Sequence, residues 1–378
     1  MVYLDHNATT PLLPEAKRAM SPFLGEVFGN PSALHQAGRK TRNAVDLARQ
    51  QVAALIQSRE TEITFTSGAT ESITLALRGA MARLGEGTRL ITSSVEHSAV
   101  TQTCKDLASS FQAEWKQISC DHSGLPDLSE LQQLLQEKPN STLVSWIWAN
   151  NETGVISPLP EIAELCADTG AILHVDAVQM AGKLPIDVST IPIHLLSLSG
   201  HKFHAPQGIG VLYRRSGVSI EPLLHGGGQE GGLRSGTENV AGIVGLGAAA
   251  SWAQTQDPEP LARLRNRFEQ SVRELHPNTL VHGAEAPRLP NTSNLFLPGI
   301  DGEALLLVLD HLGLCASPGS ACGSSAKHPS PVLMGMGFSR SHIKSSARFS
   351  LSHQTTQEEM AEAIRLIQKG LERLRRLA

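Results

Sequence analysis

The sequence ILHVDAVQMAGKLPIDVSTIPIHLLSLSGHK spans residues 172–202 and contains two short apolar runs, 172–177 and 195–199. Both runs are too apolar to have a solvated face, which is typical of strands buried in a parallel sheet. Similar runs occur at residues 62–66, 89–94, 143–149 and 209–213, and apolar residues at helical spacing occur between them at 70–83, 99–109, 128–136 and 159–168. This alternation predicts an α/β fold in which helices cover a mostly parallel central sheet.

A second, smaller unit is predicted after the polar, proline-containing segment 254–260. Its predicted elements are helices at 261–275 and 302–312, strands at 292–297 and 347–352, and a last helix that begins at a capping box formed by Thr356 and Glu359. Asp127 and Glu130 predict another capping box in the first unit. We therefore expect a large domain over residues 15–255 and a small α+β domain over residues 1–14 and 256–378.

Composition excludes several classes of protein and of ligand. Of the 378 residues, 40% are apolar and 18% are charged, which fits a globular chain rather than a disordered one. The formal net charge is −4, and no stripe of Lys and Arg with interleaved aromatic residues occurs, so nucleic acid is not expected as a direct ligand. The five cysteines are widely spaced without a C-x-x-C pair, so neither a disulfide framework nor a metal site is expected.

The sequence also bears on the compartment. The N-terminus lacks the basic and apolar regions of an export signal. The most apolar stretch, residues 240–253, is rich in glycine and shorter than the roughly 20 residues that cross a bilayer. We expect a cytoplasmic protein without membrane contact.

Three short motifs follow predicted strands and carry chemistry. The segment Ser67-Gly68-Ala69-Thr70-Glu71 opens a helix and could bind a phosphate, although alone it is more simply a capped turn. Asp176 ends a strand, where it could bind a ligand or equally cap the next turn. Lys202 follows another strand, where a desolvated amine could act as a nucleophile, although a solvated surface lysine is the usual case. Together, a phosphate turn, an acid and an amine are what pyridoxal 5'-phosphate requires.

The chain resembles the pyridoxal-phosphate-dependent cysteine desulfurases of iron–sulfur and nitrogenase cluster assembly, in the class V aminotransferase family. The resemblance extends over nearly the whole chain. It rests on motifs at residues 4–11, 29–32, 66–71, 96–97, 150–154, 176–179, 200–202, 234–237, 319–322 and 348–350. It implies a fold-type-I transferase.

The resemblance also implies roles for the residues around the cofactor ring. Lys202 would bind the cofactor covalently and move protons at the substrate Cα. Asp176 would keep the pyridine nitrogen protonated, and Gln179 would donate to the phenolic oxygen. His97 would stack on the ring and serve as an acid or base, although a single histidine is more often a core residue.

The phosphate, by the same resemblance, would be held by Ala69, Thr70, Ser199 and His201, with Thr237 contributed by the second subunit of a homodimer. Gly231 departs from the family, which usually has an arginine there.

Substrate binding and sulfur transfer are expected from three further residues. Arg348 would bind the substrate carboxylate with Asn151 as its partner, although an edge-strand charge and a turn residue are the plainer interpretations. Cys322 lies in a run of small residues and would attack the substrate sulfur, whereas the other four cysteines match no catalytic position. The family often has an acidic residue where this chain has Lys327-His328, which bears on the choice of acceptor.

We therefore predict a homodimeric enzyme that converts L-cysteine to L-alanine. The persulfide left on Cys322 would pass to an iron–sulfur scaffold or another sulfur-acceptor protein. A selenocysteine lyase or desulfinase could share every cofactor contact. An aminotransferase would not need the Cys322 loop, and a non-catalytic dimeric scaffold would not need Lys202, Asp176 and Cys322 together.

Overall fold

The computed structural model describes residues 1–318 and 329–377. The strands are β1 (Val2–Tyr3), β2 (Ile63–Thr66), β3 (Arg89–Ser93), β4 (Glu114–Ile118), β5 (Thr142–Ile147), β6 (Ile172–Asp176), β7 (Leu195–Ser199), β8 (Gly210–Arg214), β9 (Leu280–Val281), β10 (Thr292–Phe296), β11 (Leu314–Cys315), β12 (Ser317–Pro318) and β13 (Ser346–Ser350). The helices are α1 (Pro14–Met20), α2 (Gln36–Leu55), α3 (Ala69–Leu84), α4 (Ser98–Ser110), α5 (Leu128–Glu137), α6 (Leu159–Thr169), α7 (Val240–Ala253), α8 (Pro258–Leu275), α9 (Gly302–His311), α10 (Pro331–Gly335), α11 (Arg340–Lys344) and α12 (Gln357–Leu377). No helix in these ranges is long and apolar enough to cross a membrane.

A seven-stranded sheet in the order β2-β8-β7-β6-β5-β3-β4 forms the centre of the chain. All its strands run parallel except β8, which pairs antiparallel with both β2 and β7. Helices cover both faces, with α3 and α4 in one apolar cluster and α2, α5, α6 and α7 in another. The predicted α/β class with a mostly parallel sheet is confirmed.

Strand β4 is the element of this sheet that the apolar pattern missed. Its sequence EWKQI is largely polar because β4 is an edge strand with Glu114, Lys116 and Gln117 exposed. An edge strand of this kind lacks the continuous apolar run by which buried parallel strands are recognised.

The glycine-rich stretch 240–253 is the buried helix α7, which packs against α2. Asn239 caps its first turn by accepting from the Gly242 N–H. A Cβ on Gly247 would lie 2.7 Å from the Cα of Ala48, so only glycine allows the two helices to approach this closely. The apolar composition of this stretch is therefore explained by its packing against other elements of the chain.

A second, four-stranded antiparallel sheet has the order β12-β13-β10-β9, and its residues share an apolar cluster with α8, α9 and α12. The N-terminal strand β1 pairs with β11, and Asp5 bridges to Ser350 at the end of β13. The start of the chain thus lies against its C-terminal part. The division into domains at 15–255 and 1–14 with 256–378 stays a prediction.

Of the two predicted capping boxes, one is complete. Thr356 and Glu359 exchange hydrogen bonds at the start of α12. Asp127 accepts from the N–H groups of Ser129 and Glu130, but the Glu130 carboxylate bonds Ser119 instead of returning to Asp127. The predicted hydrogen bond from the Asp127 N–H to the Glu130 carboxylate is wrong, because that N–H already donates to the Ser119 carbonyl.

Candidate active site

A cavity of about 580 Å³ lies at the edge of the seven-stranded sheet where β2, β6 and β7 end. This is the edge at which open α/β sheets bind ligands. The predicted site residues that line it are Ala69, Thr70, His97, Asn151, Asp176, Gln179, Ser199, His201, Lys202 and Arg348. Residues from distant parts of the sequence therefore line one cavity, and their roles in it stay predictions.

The N-terminus of α3 forms one wall of this cavity. Ala69 and Thr70 occupy the first turn of this 16-residue helix, where N–H groups lack intrahelical acceptors and the helix dipole is positive. Glu71 in the same turn is neutralised by Arg234 at 2.9 Å, and this contact contributes to the lowered pKa of Glu71. The wall thus retains donors suited to a phosphate group.

Ser199 and His201 line the cavity from the end of β7. The His201 Nδ1 lies 3.1 Å from the Thr9 hydroxyl, which holds the ring in place. Burial lowers the pKa of His201 to about 4, so the ring is neutral at pH 7 and offers one N–H group rather than a full charge.

Asp176 closes the inner end of the cavity. It is 3% exposed and accepts a hydrogen bond from the Val178 N–H at 3.1 Å. Burial raises the pKa of this carboxyl, and the Val178 N–H and the positive charge of Lys202 oppose that rise. A buried carboxylate in this position favours a cationic ligand at the inner end of the cavity.

Lys202 follows β7 and is held by the N-terminal segment. Its Nζ donates to the carbonyl oxygens of Asn7 at 2.6 Å and Ala8 at 2.7 Å. The sequence did not indicate this contact with the backbone of residues 7 and 8, because these residues approach Lys202 only in the tertiary fold. These carbonyls orient the amine into the cavity it lines.

His97 caps helix α4. Its Nδ1 accepts from the Ala99 N–H at 3.1 Å, which places the proton of the neutral ring on Nε2. The cap fixes both the tautomer and the position of a ring that lines the cavity.

Arg348 is 1% exposed in β13 and makes two hydrogen bonds at the cavity wall. Its Nη1 donates to the Asn151 carbonyl at 3.0 Å, and its Nη2 donates to Asp5 at 2.8 Å. The Arg348 Nε and the Asn151 Oδ1 are buried without partners among the described residues. An amino acid bound here would supply a carboxylate acceptor for that Nε and an ammonium donor for that Oδ1. Asp5, which balances the buried arginine, was missed as a site residue.

One predicted residue that the structure describes, Thr237, stands apart from this cavity. Thr237 is exposed and lines a neighbouring cavity of about 210 Å³, which shares Ser67 and Gly208 with the main one. Cys322 lies outside the described residues. Gly231, where the family usually has arginine, has a φ of 64°, and a Cβ added there would meet only open space.

The four described cysteines are poor nucleophiles. Burial raises the pKa of Cys104 and Cys166 to about 12 and that of Cys120 to about 11. Burial also raises the pKa of Cys315, the most accessible of them. Thiols of this kind react slowly because the thiolate is the reactive form.

Comparisons with known proteins agree with this architecture. The family model for aminotransferase class-V matches residues 2–362. Cysteine desulfurase 2 of Trichormus variabilis is 45% identical over 381 residues, covering 100% of this chain and 95% of the relative. The cysteine desulfurase NifS of Azotobacter vinelandii is 43% identical, covering 100% of this chain and 94% of the relative.

A solved NifS-like protein superposes with a TM-score of 0.90 at 35% identity, covering 98% of this chain and 99% of that one. The predicted fold-type-I architecture is confirmed by this likeness together with the sheet topology. The chain belongs to the cysteine desulfurases of the class-V aminotransferase family.

Proposed function

We propose that this chain is a pyridoxal-phosphate-dependent enzyme that converts L-cysteine to L-alanine and leaves a persulfide on Cys322. One observation carries the proposal: Lys202, Asp176 and the start of α3 line the same cavity as Arg348, whose buried Nε has no partner among the described residues. That cavity belongs to a chain whose relatives are named cysteine desulfurases.

The residues present fit the cofactor. Its phosphate would lie at the Ala69–Thr70 turn with Ser199 and His201, its ring nitrogen at Asp176 and its aldehyde carbon at Lys202, with His97 and Gln179 as further contacts. When bound, pyridoxal phosphate withdraws electrons from the substrate Cα and so makes its proton acidic.

The side chains around it would orient the substrate and move its protons. Arg348 would bind the substrate carboxylate through its unpaired Nε, and Asn151 Oδ1 would accept from an N–H group of the substrate nitrogen. This double contact would hold the Cα–H bond toward Lys202. The Lys202 Nζ would then move the Cα proton, and His97 Nε2 would hold a second proton near the departing sulfur.

Sulfur transfer is balanced without an external oxidant. The Cys322 thiolate would attack the substrate sulfur, so that an S–S bond forms while the substrate Cβ–S bond breaks. The electron pair of the broken bond stays with Cβ, which takes up a proton to become the methyl group of alanine. The raised pKa values of Cys104, Cys120, Cys166 and Cys315 leave Cys322 as the best candidate thiol.

The chain would act as a cytoplasmic homodimer. Thr237 is exposed beside the cavity rather than in it, which suits a residue that completes the phosphate site of a second copy. The persulfide would pass to an iron–sulfur scaffold or another sulfur-acceptor protein.

The decisive assay measures sulfide and alanine released from L-cysteine with a thiol reductant. Wild-type protein should release both in equal amounts. Cys322→Ser should retain the visible cofactor band and release neither, whereas the matched control Cys315→Ser should behave as wild type. Release of sulfide by Cys322→Ser at the wild-type rate would refute the proposal. Pyruvate as the main product, or activity on selenocysteine or cysteine sulfinate alone, would also refute it.

A further inference from the structure

Lys183 is a buried amine that the proposed reaction does not use. It lies between β6 and β7 and is 7% exposed, which is unusual for a lysine without an anionic partner. Among the described residues Lys183 forms no ion pair with a carboxylate, and the charges that act on it belong to Lys202 and Arg348. Burial lowers the pKa of Lys183 well below its ordinary value, and the positive charges of Lys202 and Arg348 add to that effect.

Lys183 is joined to the catalytic lysine by a short series of hydrogen bonds. Its Nζ donates to the Gln179 Oε1. The Gln179 Nε2 in turn donates to the Asn7 carbonyl at 3.1 Å, and that carbonyl also accepts from the Lys202 Nζ at 2.6 Å. Gln179 is therefore held at both ends of its amide group.

The two lysines also share a small cavity of about 10 Å³, which is about the space of one water molecule. The titratable and charged groups that interact with Lys183 are His6, His201, His204, His353, Lys202 and Arg348. Burial lowers the pKa of each of these histidines, so the imidazoles are neutral at pH 7 and the amine faces no anion. The contact that Lys183 makes in this environment is the hydrogen bond that its amine donates to Gln179.

The orientation of the Gln179 amide depends on two partners, the Asn7 carbonyl that accepts from its Nε2 and the Lys183 amine that donates to its Oε1, and loss of the Lys183 donor removes one of them. The two ends of a carboxamide have nearly the same shape, so only their partners decide which end is oxygen. Without an N–H group at Lys183, the amide can turn over and direct its oxygen toward the Asn7 carbonyl and the cavity. Two acceptors would then face each other, and the cofactor's phenolic oxygen would lose its donor.

We propose that Lys183 is a positioning residue that fixes the Gln179 amide with its N–H group toward the cofactor cavity. This inference rests on the proposed function, because the cavity must bind pyridoxal phosphate. Donation to the phenolic oxygen stabilises its anionic form and so lowers the pH at which the cofactor's visible band changes. Loss of one hydrogen bond of ordinary strength should raise that midpoint by about 0.5 to 1 pH unit.

The test is a spectrophotometric pH titration of the holoenzyme. Lys183→Met, which matches the length of the side chain without its donor, should raise the midpoint by about 0.5 to 1 unit. Lys183→Gln retains an N–H donor and should keep the midpoint close to that of the wild type. The exposed Lys105→Met is the control and should not move the midpoint.

A double-mutant cycle separates positioning from general loosening of the site. In a Gln179→Leu background, Lys183→Met should cause no further shift, because the amide it orients is already gone. An equal shift in both backgrounds, or no shift in Lys183→Met with full cofactor content, would overturn the inference. A wild-type protein that takes up no pyridoxal phosphate would instead refute the proposed function.

A second measurement applies if Lys183→Met does not fold. Gln179→Glu retains an acceptor for Lys183 but lacks the N–H group, so it should raise the midpoint and still melt at a higher temperature than Gln179→Leu. A Gln179→Glu protein no more heat-stable than Gln179→Leu would overturn the inference.

Discussion

Replacing Asp5 by asparagine tests the electrostatic balance of the substrate end of the cavity. Asp5 is the carboxylate paired with Arg348, whose guanidinium is 1% exposed, and their contact distance is 2.8 Å. Asparagine retains an acceptor for Nη2 but removes the carboxylate charge, so the hydrogen bond to the guanidinium remains while the Coulombic attraction of the ion pair is lost. The buried arginine is also left with less compensation. We expect the free energy of unfolding to fall by about 2 kcal/mol.

The assay is urea unfolding of the holoenzyme. The slope of the free energy of unfolding against urea concentration should be the same in the variant and the wild type. Asp301→Asn is the matched control, because it removes the exposed ion pair with Lys344 while asparagine still caps α9, and it should have a much smaller effect. An Asp5→Asn protein as stable as Asp301→Asn would refute the view that Asp5 balances Arg348.

Three other changes test separate parts of the structure. Lys202→Ala should abolish the cofactor's covalent attachment, and a borohydride-treated variant that still retains cofactor would contradict this. Burial raises the pKa of Glu96 to about 8, so between pH 4.5 and 8 the folded state holds a proton that the unfolded state has released. The free energy of unfolding should therefore fall as the pH rises through this range. Glu96→Gln should flatten that fall when urea titrations are repeated at several pH values. Gly247→Val should lower the free energy of unfolding by about 2 kcal/mol through overpacking against α2, whereas Ser251→Ala on the same helix should change it little.

The parts of the site that could be predicted from sequence follow strand ends. Asp176 and Lys202 directly follow apolar runs, and parallel strands bring such residues to one edge of a sheet. The first turn of α3 was recognisable for the same reason, since it follows β2. Local sequence therefore sufficed to place Asp176, Lys202 and the first turn of α3 at one edge of the sheet, whereas the other candidate residues came from the family resemblance.

The contacts that were missed depend on residues far apart in the chain. Asp5 and Arg348 are separated by 343 residues and meet only because the N-terminal segment lies along β13. Lys183 gave no signal, because its burial depends on the packing of segments from both ends of the chain. The strand β4 was missed because its exposed edge position favours polar residues.

The central claim is that sulfur from L-cysteine is transferred to Cys322. The most direct measurement mixes holoenzyme with one equivalent of L-cysteine in the absence of reductant, followed by mass spectrometry of the digested chain. We expect one additional sulfur atom on the peptide that contains Cys322 and one equivalent of alanine in solution. Sulfur on the Cys315 peptide alone, or alanine released with no sulfur on any peptide, would contradict the account.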